Sequence, residues 1–156
     1  MTERSAIHSS FVIERTYDAP PARVFAAFSD PETKCRWFAD ADGWGTDNYQ
    51  LDFRVGGREI YRGQHGGMAV TFDAIYYDII ENERLIWAYD MNMNGDRISV
   101  SLSTIELHPE GAGTRLVFTE HDTFLDGFEA VGPREEGTKE LLSALDAELR
   151  RQSVTN

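Results

Sequence analysis

From residue 48 to residue 121 the chain alternates apolar and polar residues almost without a break, and short Gly- or Asn-containing stretches punctuate the pattern. Period-two alternation puts successive side chains on opposite faces of an extended strand, one face for a core and one for water. Residues 49–55 carry Tyr49, Leu51, Phe53 and Val55 on one face, and Gly56-Gly57 reads as a two-residue hairpin turn. Residues 58–62 return with Ile60 inward and Tyr61 opposite, and Gln64-His65-Gly66-Gly67 turns again. Residues 68–80 place Val70, Phe72, Ala74 and Tyr76 on one face, and Glu81-Asn82-Glu83 makes the next turn. Residues 84–93 set Leu85, Trp87, Tyr89, Met91 and Met93 on a single face, before a turn at Asn94-Gly95. In residues 98–108 the apolar positions change phase, from Ile98, Val100 and Leu102 to Ile105 and Leu107, which predicts a bulge near Ser103-Thr104. Residues 114–121 form the last strand, and residues 123–132 a connector whose Phe124, Leu125 and Phe128 pack under the C-terminal segment.

That C-terminal segment reads as one long helix. Over residues 133–151, Leu141, Leu142, Leu145 and Leu149 make an apolar stripe at helical spacing, backed by Lys139, Glu140, Asp146, Glu148 and Arg150. Pro133 suits the first turn, Glu135 and Glu136 oppose the positive end of the dipole, and Arg150 and Arg151 sit near the negative end. Six hairpin-linked strands whose best apolar partner is one helix predict a sheet curled around that helix. The class is α+β.

The first forty residues add to this frame. Residues 1–9 read as a loose lead-in, and residues 11–17 as a first strand. Pro20-Pro21 opens a short helix with Val24, Phe25 and Phe28 on its apolar face. Ser29 or Asp30 caps a second short helix that Pro31 opens and Trp37 and Phe38 end. The expected architecture is a curved antiparallel sheet of six to seven strands around a long C-terminal helix, with two short helices after the first strand. The expected organisation is a single domain over 1–156.

Charge and motifs exclude several functions. A formal net charge of -12 argues against nucleic-acid backbones and anionic membranes, so the short helix pair is not a DNA reader. A lone cysteine, Cys35, excludes an internal disulfide and a thiolate zinc site, and His8, His65, His108 and His121 lack metal spacing. Counted from Asp40, the acidic stretch puts Trp44 at position 5 and leads to Leu51 at position 12, where a calcium loop needs ligands, so it reads as a solvated loop. Glycine spacing fits neither phosphate-binding fingerprint, and no serine sits in a nucleophile elbow. No metal, cofactor or catalytic constellation is expected. Without a signal-peptide core or an apolar run of about 20 residues, the chain is expected to be cytoplasmic, as a monomer or homodimer.

Several stretches carry a family resemblance. They are Tyr17-Asp-Ala-Pro-Pro-Ala-Arg-Val-Phe25, Asp30-Pro31-Glu32 with Trp37, Asp52-Phe-Arg-Val-Gly-Gly-Arg58 and Gly113-Thr-Arg-Leu116. With the element order, they resemble the START-like superfamily, also called SRPBCC or helix-grip, over residues 11–150. Within it the chain is similar to bacterial members of the family named for the activator of heat-shock protein 90 ATPase. The resemblance implies a cavity between sheet and helix. Thr138 stands after Gly137 where family members often carry tryptophan, which bears on the pocket mouth and not on the fold.

The candidate site is the aromatic and methionine face. Trp87, Tyr89, Met91, Phe72, Tyr76, Phe53, Phe118 and Trp37 would line an apolar cavity roofed by Leu142 and Leu145 of the helix. Tryptophan and tyrosine have polar tips that need partners when buried, so several together suit a pocket. His121 closes the last strand just before the connector, where it would either face this cavity or be a structural histidine, and Arg54, His65 or His121 would fix a ligand's polar end. The expected function is binding of an apolar or aromatic small molecule. The alternatives are a protein-binding module akin to a chaperone cofactor and a cyclase or hydrolase of the polyketide-cyclase type. The last requires a histidine or carboxylate of shifted pKa facing the interior.

Overall fold

The computed structural model describes residues 3–40, 44–128 and 131–155. Strands β1 (Ala6–Tyr17), β2 (Trp44–Leu51), β3 (Arg58–His65), β4 (Met68–Ile80), β5 (Arg84–Met93), β6 (Asp96–Glu110) and β7 (Gly113–Leu125) make one sheet in the order β1-β7-β6-β5-β4-β3-β2. Every pairing is antiparallel. β2 to β7 form the expected meander, and β1 closes the far side on β7. Helices α1 (Pro21–Ser29) and α2 (Pro31–Lys34) stand between β1 and β2, and α3 (Val131–Thr155) comes after β7. Leu142, Leu145 and Leu149 of α3 share one buried core with Ile13, Leu116 and Phe118 of the sheet. Tyr17 donates its hydroxyl proton to the Leu142 carbonyl at 2.9 Å, tying the first strand to the middle of the last helix.

Local chemistry explains the elbow before β2. Asp30 caps α2 by accepting from the Thr33 amide at 3.0 Å and the Thr33 hydroxyl at 2.6 Å, and Pro31 occupies a first-turn position whose missing N–H costs nothing. These bonds lower the Asp30 pKa, since they favour the carboxylate. The chain then widens into a π turn over Cys35–Ala39, closed by the Asp40 amide on the Cys35 carbonyl. Such insertions recur at functional sites. At the β5–β6 turn, Asn94 and Gly95 both adopt positive φ, as a tight hairpin requires.

Several expectations need correction. β1 begins at Ala6 and takes in part of the presumed lead-in, because β7 runs to Leu125 and offers it a full set of partners. β2 starts at Trp44 inside the presumed acidic loop and ends at Leu51, so Phe53 and Val55 lie in the connection to β3, and Gly56-Gly57 is only part of that turn. The centre of that loop, 41–43, lies outside the described residues. In β3 it is Glu59 and Tyr61 that point inward, with Ile60 on the other face. The β6 bulge falls at Ile98, where Met91 pairs with Ser99 and Asn92 with Arg97. That shift turns Ser99, Ser101 and Ser103 inward and leaves Val100 and Leu102 exposed. Phe124 is a buried β7 residue, whereas Phe128 is exposed.

Candidate functional site

The register aligns the inner face in rows. One row runs Phe11, Glu120, Ser103, Trp87, Tyr76, and the next runs Asp122, Ser101, Tyr89, Ala74, Glu59. Phe124, Ser99, Met91, Phe72, Tyr61 and Tyr49 make a third. Aromatic rings therefore fill the middle of the face, with a polar cluster on each flank.

The first cluster is built on Lys34. Its Nζ reaches from the end of α2 to Glu59 Oε1 at 2.7 Å and the Tyr76 hydroxyl at 3.2 Å. Tyr76 also donates to Glu59 Oε1 at 2.7 Å, and Tyr49 to Glu59 Oε2 at 2.6 Å. The ammonium lies 4.8 Å from the Phe38 ring centre, 5.5 Å from Trp87, 5.8 Å from Phe28 and 6.0 Å from Tyr76. Both charged side chains are essentially without solvent contact. Burial pulls the Lys34 pKa below the ordinary lysine range, and pairing with Glu59 opposes the shift.

The second cluster hangs from the start of α3. Arg134 projects Nη2 to Ser99 at 2.8 Å and Nη1 to the Tyr89 hydroxyl at 3.0 Å, with Asp122 at 3.3 Å and Glu120 at 3.8 Å. Tyr89 and Ser103 donate to Glu120, and Ser101 donates to Asp122. One guanidinium thus faces two buried carboxylates. Burial first, then the neighbouring Asp122, pushes the Glu120 pKa up to about 8, against the pull of Arg134 and Ser103. The raised pKa favours the protonated form of Glu120 near neutral pH, where an exposed glutamate is ionised.

Trp87 stands between the clusters, paired with Tyr76 on one side and Ser103 on the other. Its Nε1 is buried and has no hydrogen-bond partner among the described residues.

The structure gathers Phe72, Tyr76, Trp87, Tyr89 and Phe118 on this face, Phe72 and Tyr89 at 4.7 Å between ring centres and Trp87 at 6.0 Å from both Tyr76 and Phe118. Phe53 reaches the group from the β2–β3 connection, against Tyr76. Met91 is half-buried beside Arg134, its sulfur 3.7 Å from Nη2. Leu142 and Leu145 are buried in α3. Trp37 serves a different place: it packs on Phe28, and its N–H is satisfied by the Ala27 carbonyl at 2.8 Å. His121 does not face the interior. It lies exposed on the outer face, in a shallow groove with His8, Val100 and Leu102, because the β7 side chains that point inward are the even-numbered Leu116, Phe118, Glu120, Asp122 and Phe124. Arg54 is exposed and pairs with Asp52. Among the described residues no group of three or more His, Cys, Asp or Glu could hold a metal ion.

Sequence reasoning did not assign Lys34, Tyr49, Glu59, Glu120, Asp122, Arg134 or the three serines to the site. A signal existed in β6: serine at 99, 101 and 103 is itself a period-two pattern. It was masked by Val100 and Leu102, whose hydrophobicity suggested the opposite phase.

The sheet, the grasped helix and the inner-face site together define a helix-grip protein. A family model described as Activator of Hsp90 ATPase homolog 1-like protein matches residues 18–150, and the chain belongs to this family. A putative uncharacterized protein from Rhizobium leguminosarum is 46% identical, with a TM-score of 0.92 over 96% of this chain and 99% of that one. The Mll3558 protein from Rhizobium loti is 48% identical, with a TM-score of 0.86 over 92% of this chain and 99% of that one. CalU16 from Micromonospora echinospora, 23% identical over 99% of this chain and 90% of that one at a TM-score of 0.64, shares the fold. Among curated proteins none matches the chain.

Proposed function

We infer that the chain binds a small molecule with an apolar or aromatic body on the inner face of the sheet beneath α3. The molecule's polar end accepts a hydrogen bond from Trp87 Nε1. The observation that carries this reading is that indole N–H, buried in the middle of an aromatic face and without an acceptor among the described residues. A buried donor left unpaired costs about 1–3 kcal/mol, a penalty that a bound acceptor removes. Trp37, as deeply buried, has its N–H satisfied by backbone, so the contrast lies in the site. Membership of a family of ligand-binding or chaperone-cofactor-like modules supports the same reading.

The test compares acetophenone with ethylbenzene, nearly the same shape without the carbonyl, by calorimetric titration. Acetophenone should bind the more tightly, and Trp87→Phe should weaken it roughly tenfold while leaving ethylbenzene unchanged. Equal affinities for both compounds in both proteins would count against the Trp87 contact. Native mass spectrometry of freshly purified protein would reveal the class of any captured ligand.

One observation favours a second reading, a protein-binding module. Val100 and Leu102 are exposed two residues apart on the outer face of β6, beside a shallow groove, and exposed apolar surface of this kind suits a partner. If the chain stimulates the ATPase of heat-shock protein 90 and Val100→Ser with Leu102→Ser abolishes the effect, this reading prevails. We propose for either reading that the chain works in the cytoplasm, as a monomer or homodimer.

A further inference from the structure

The chain contains thirteen arginines and two lysines. Arginine makes most of the ion pairs among the described residues, Arg134 in the interior included. Yet the most deeply buried cation is a lysine, Lys34. For a permanent buried ion pair arginine is the better residue: its fork grips a carboxylate with two bonds and it does not lose its proton. What lysine offers in its place is an amine that can discharge and act as a nucleophile. Lys34 has the surroundings for that. Glu59 Oε1, a proton acceptor, lies 2.7 Å away, and the Tyr76 hydroxyl bridges the two. Aromatic rings enclose the nitrogen, and the ring of Trp87, whose N–H has no partner among the described residues, has its centre 5.5 Å off. Phe38, the nearest ring, is half-buried.

We propose that Lys34 forms an imine with the carbonyl group of an aromatic aldehyde or ketone bound beside Trp87, a role that rests on the interior-binding reading above. Lys34 passes one proton to Glu59, and the freed lone pair makes a bond to the carbonyl carbon. The π electrons go to the oxygen, which takes a proton from the new ammonium through Tyr76. Glu59 then returns its proton to the resulting hydroxyl, the C–O bond breaks and water leaves. The product is a protonated imine on Lys34 opposite a Glu59 carboxylate, with one water released and no change in oxidation state. Trp87 Nε1 is the donor that orients the carbonyl oxygen before addition. Burial supports the chemistry by favouring the neutral amine.

The full chain is incubated at neutral pH with benzaldehyde and sodium cyanoborohydride, which reduces an imine to a stable secondary amine, and the label is located by peptide mapping. With Lys139 the only other lysine, assignment is direct. Lys34 should acquire one benzyl group roughly tenfold faster than Lys139, because an aldehyde bound beside Trp87 is held within reach of the amine. Glu59→Gln should slow labelling while the folded far-UV spectrum is retained, whereas a purely structural clamp predicts no labelling to slow. Label on Lys139 alone, with Lys34 reacting only in urea, overturns the proposal. Benzyl alcohol, which cannot form an imine, separates the two claims. If it binds at Trp87 by NMR while Lys34 stays unlabelled, only the amine chemistry fails; if neither occurs, the interior-binding reading fails as well.

Discussion

Glu59 and Glu120 lie buried on the same inner sheet face, on opposite flanks of Trp87, and differ in how their charge is met. Glu59 has one cation to itself, Lys34 at 2.7 Å. Glu120 shares Arg134 with Asp122, an arrangement that favours a proton on Glu120. The first carboxylate is therefore an ion-pair partner and the second an acid.

The Glu120 proton makes stability depend on pH with a definite sign. Its folded pKa of about 8 lies above the ordinary 4.5, so between those values the native state holds a proton that the unfolded chain has lost. The Glu120 contribution therefore falls as pH rises across that window, at a limiting slope of about 1.4 kcal/mol per pH unit, and levels off above it. Glu120→Gln imitates the neutral acid. Urea unfolding at pH 5.5 to 8.5 should show the variant losing less stability with rising pH than the parent; parallel curves would mean that Glu120 is ionised throughout.

Removing one partner of a buried ion pair leaves the other uncompensated. Lys34→Met should cost about 3–5 kcal/mol by chemical denaturation, because Glu59 keeps only the hydroxyls of Tyr49 and Tyr76. Adding Glu59→Gln to Lys34→Met should recover part of that loss. A double variant no more stable than the single would show that the cost is in packing.

At Gly63 there is no room for a side chain. A β-carbon there would stand 1.9 Å from the Gly45 carbonyl and 2.3 Å from the Tyr61 hydroxyl, which donates to that same carbonyl at 2.6 Å. Gly63→Ala should part β2 from β3 and cost on the order of 2 kcal/mol or more, read as a lowered unfolding midpoint with faster amide exchange in both strands. A midpoint unchanged within error would show that the β2 edge can shift freely.

Most of the frame was legible because it rests on local pattern. The alternation Leu85, Trp87, Tyr89, Met91 fixes which face of β5 is buried, and the stripe Leu142, Leu145, Leu149 fixes the face of α3. Asp30 before Pro31 announces the elbow through cap chemistry that a sequence displays. The errors arose where hydrophobicity and parity disagree. Val100 and Leu102 face outward while three serines face in, an inversion explained by the Arg134 cluster and set by a bulge one residue long. His121 was misplaced with them, since its strand buries two carboxylates where an apolar rule expects none. The Lys34–Glu59 pair joins residues 25 apart and Arg134–Ser99 joins residues 35 apart. Contacts of that kind belong to the tertiary fold and leave no local periodicity.

The central claim is that Trp87 Nε1 is the donor of an interior binding site. Its most direct test is the indole N–H resonance of Trp87 in a nitrogen–proton correlation spectrum, assigned by its loss in Trp87→Phe, during titration with acetophenone. That signal should move downfield and saturate as the carbonyl accepts the hydrogen bond, while the Trp37 indole, already bonded to Ala27, stays still. A Trp87 signal that never moves, with shifts confined to Val100, Leu102 and His121, would contradict the interior site and move binding to the outer face.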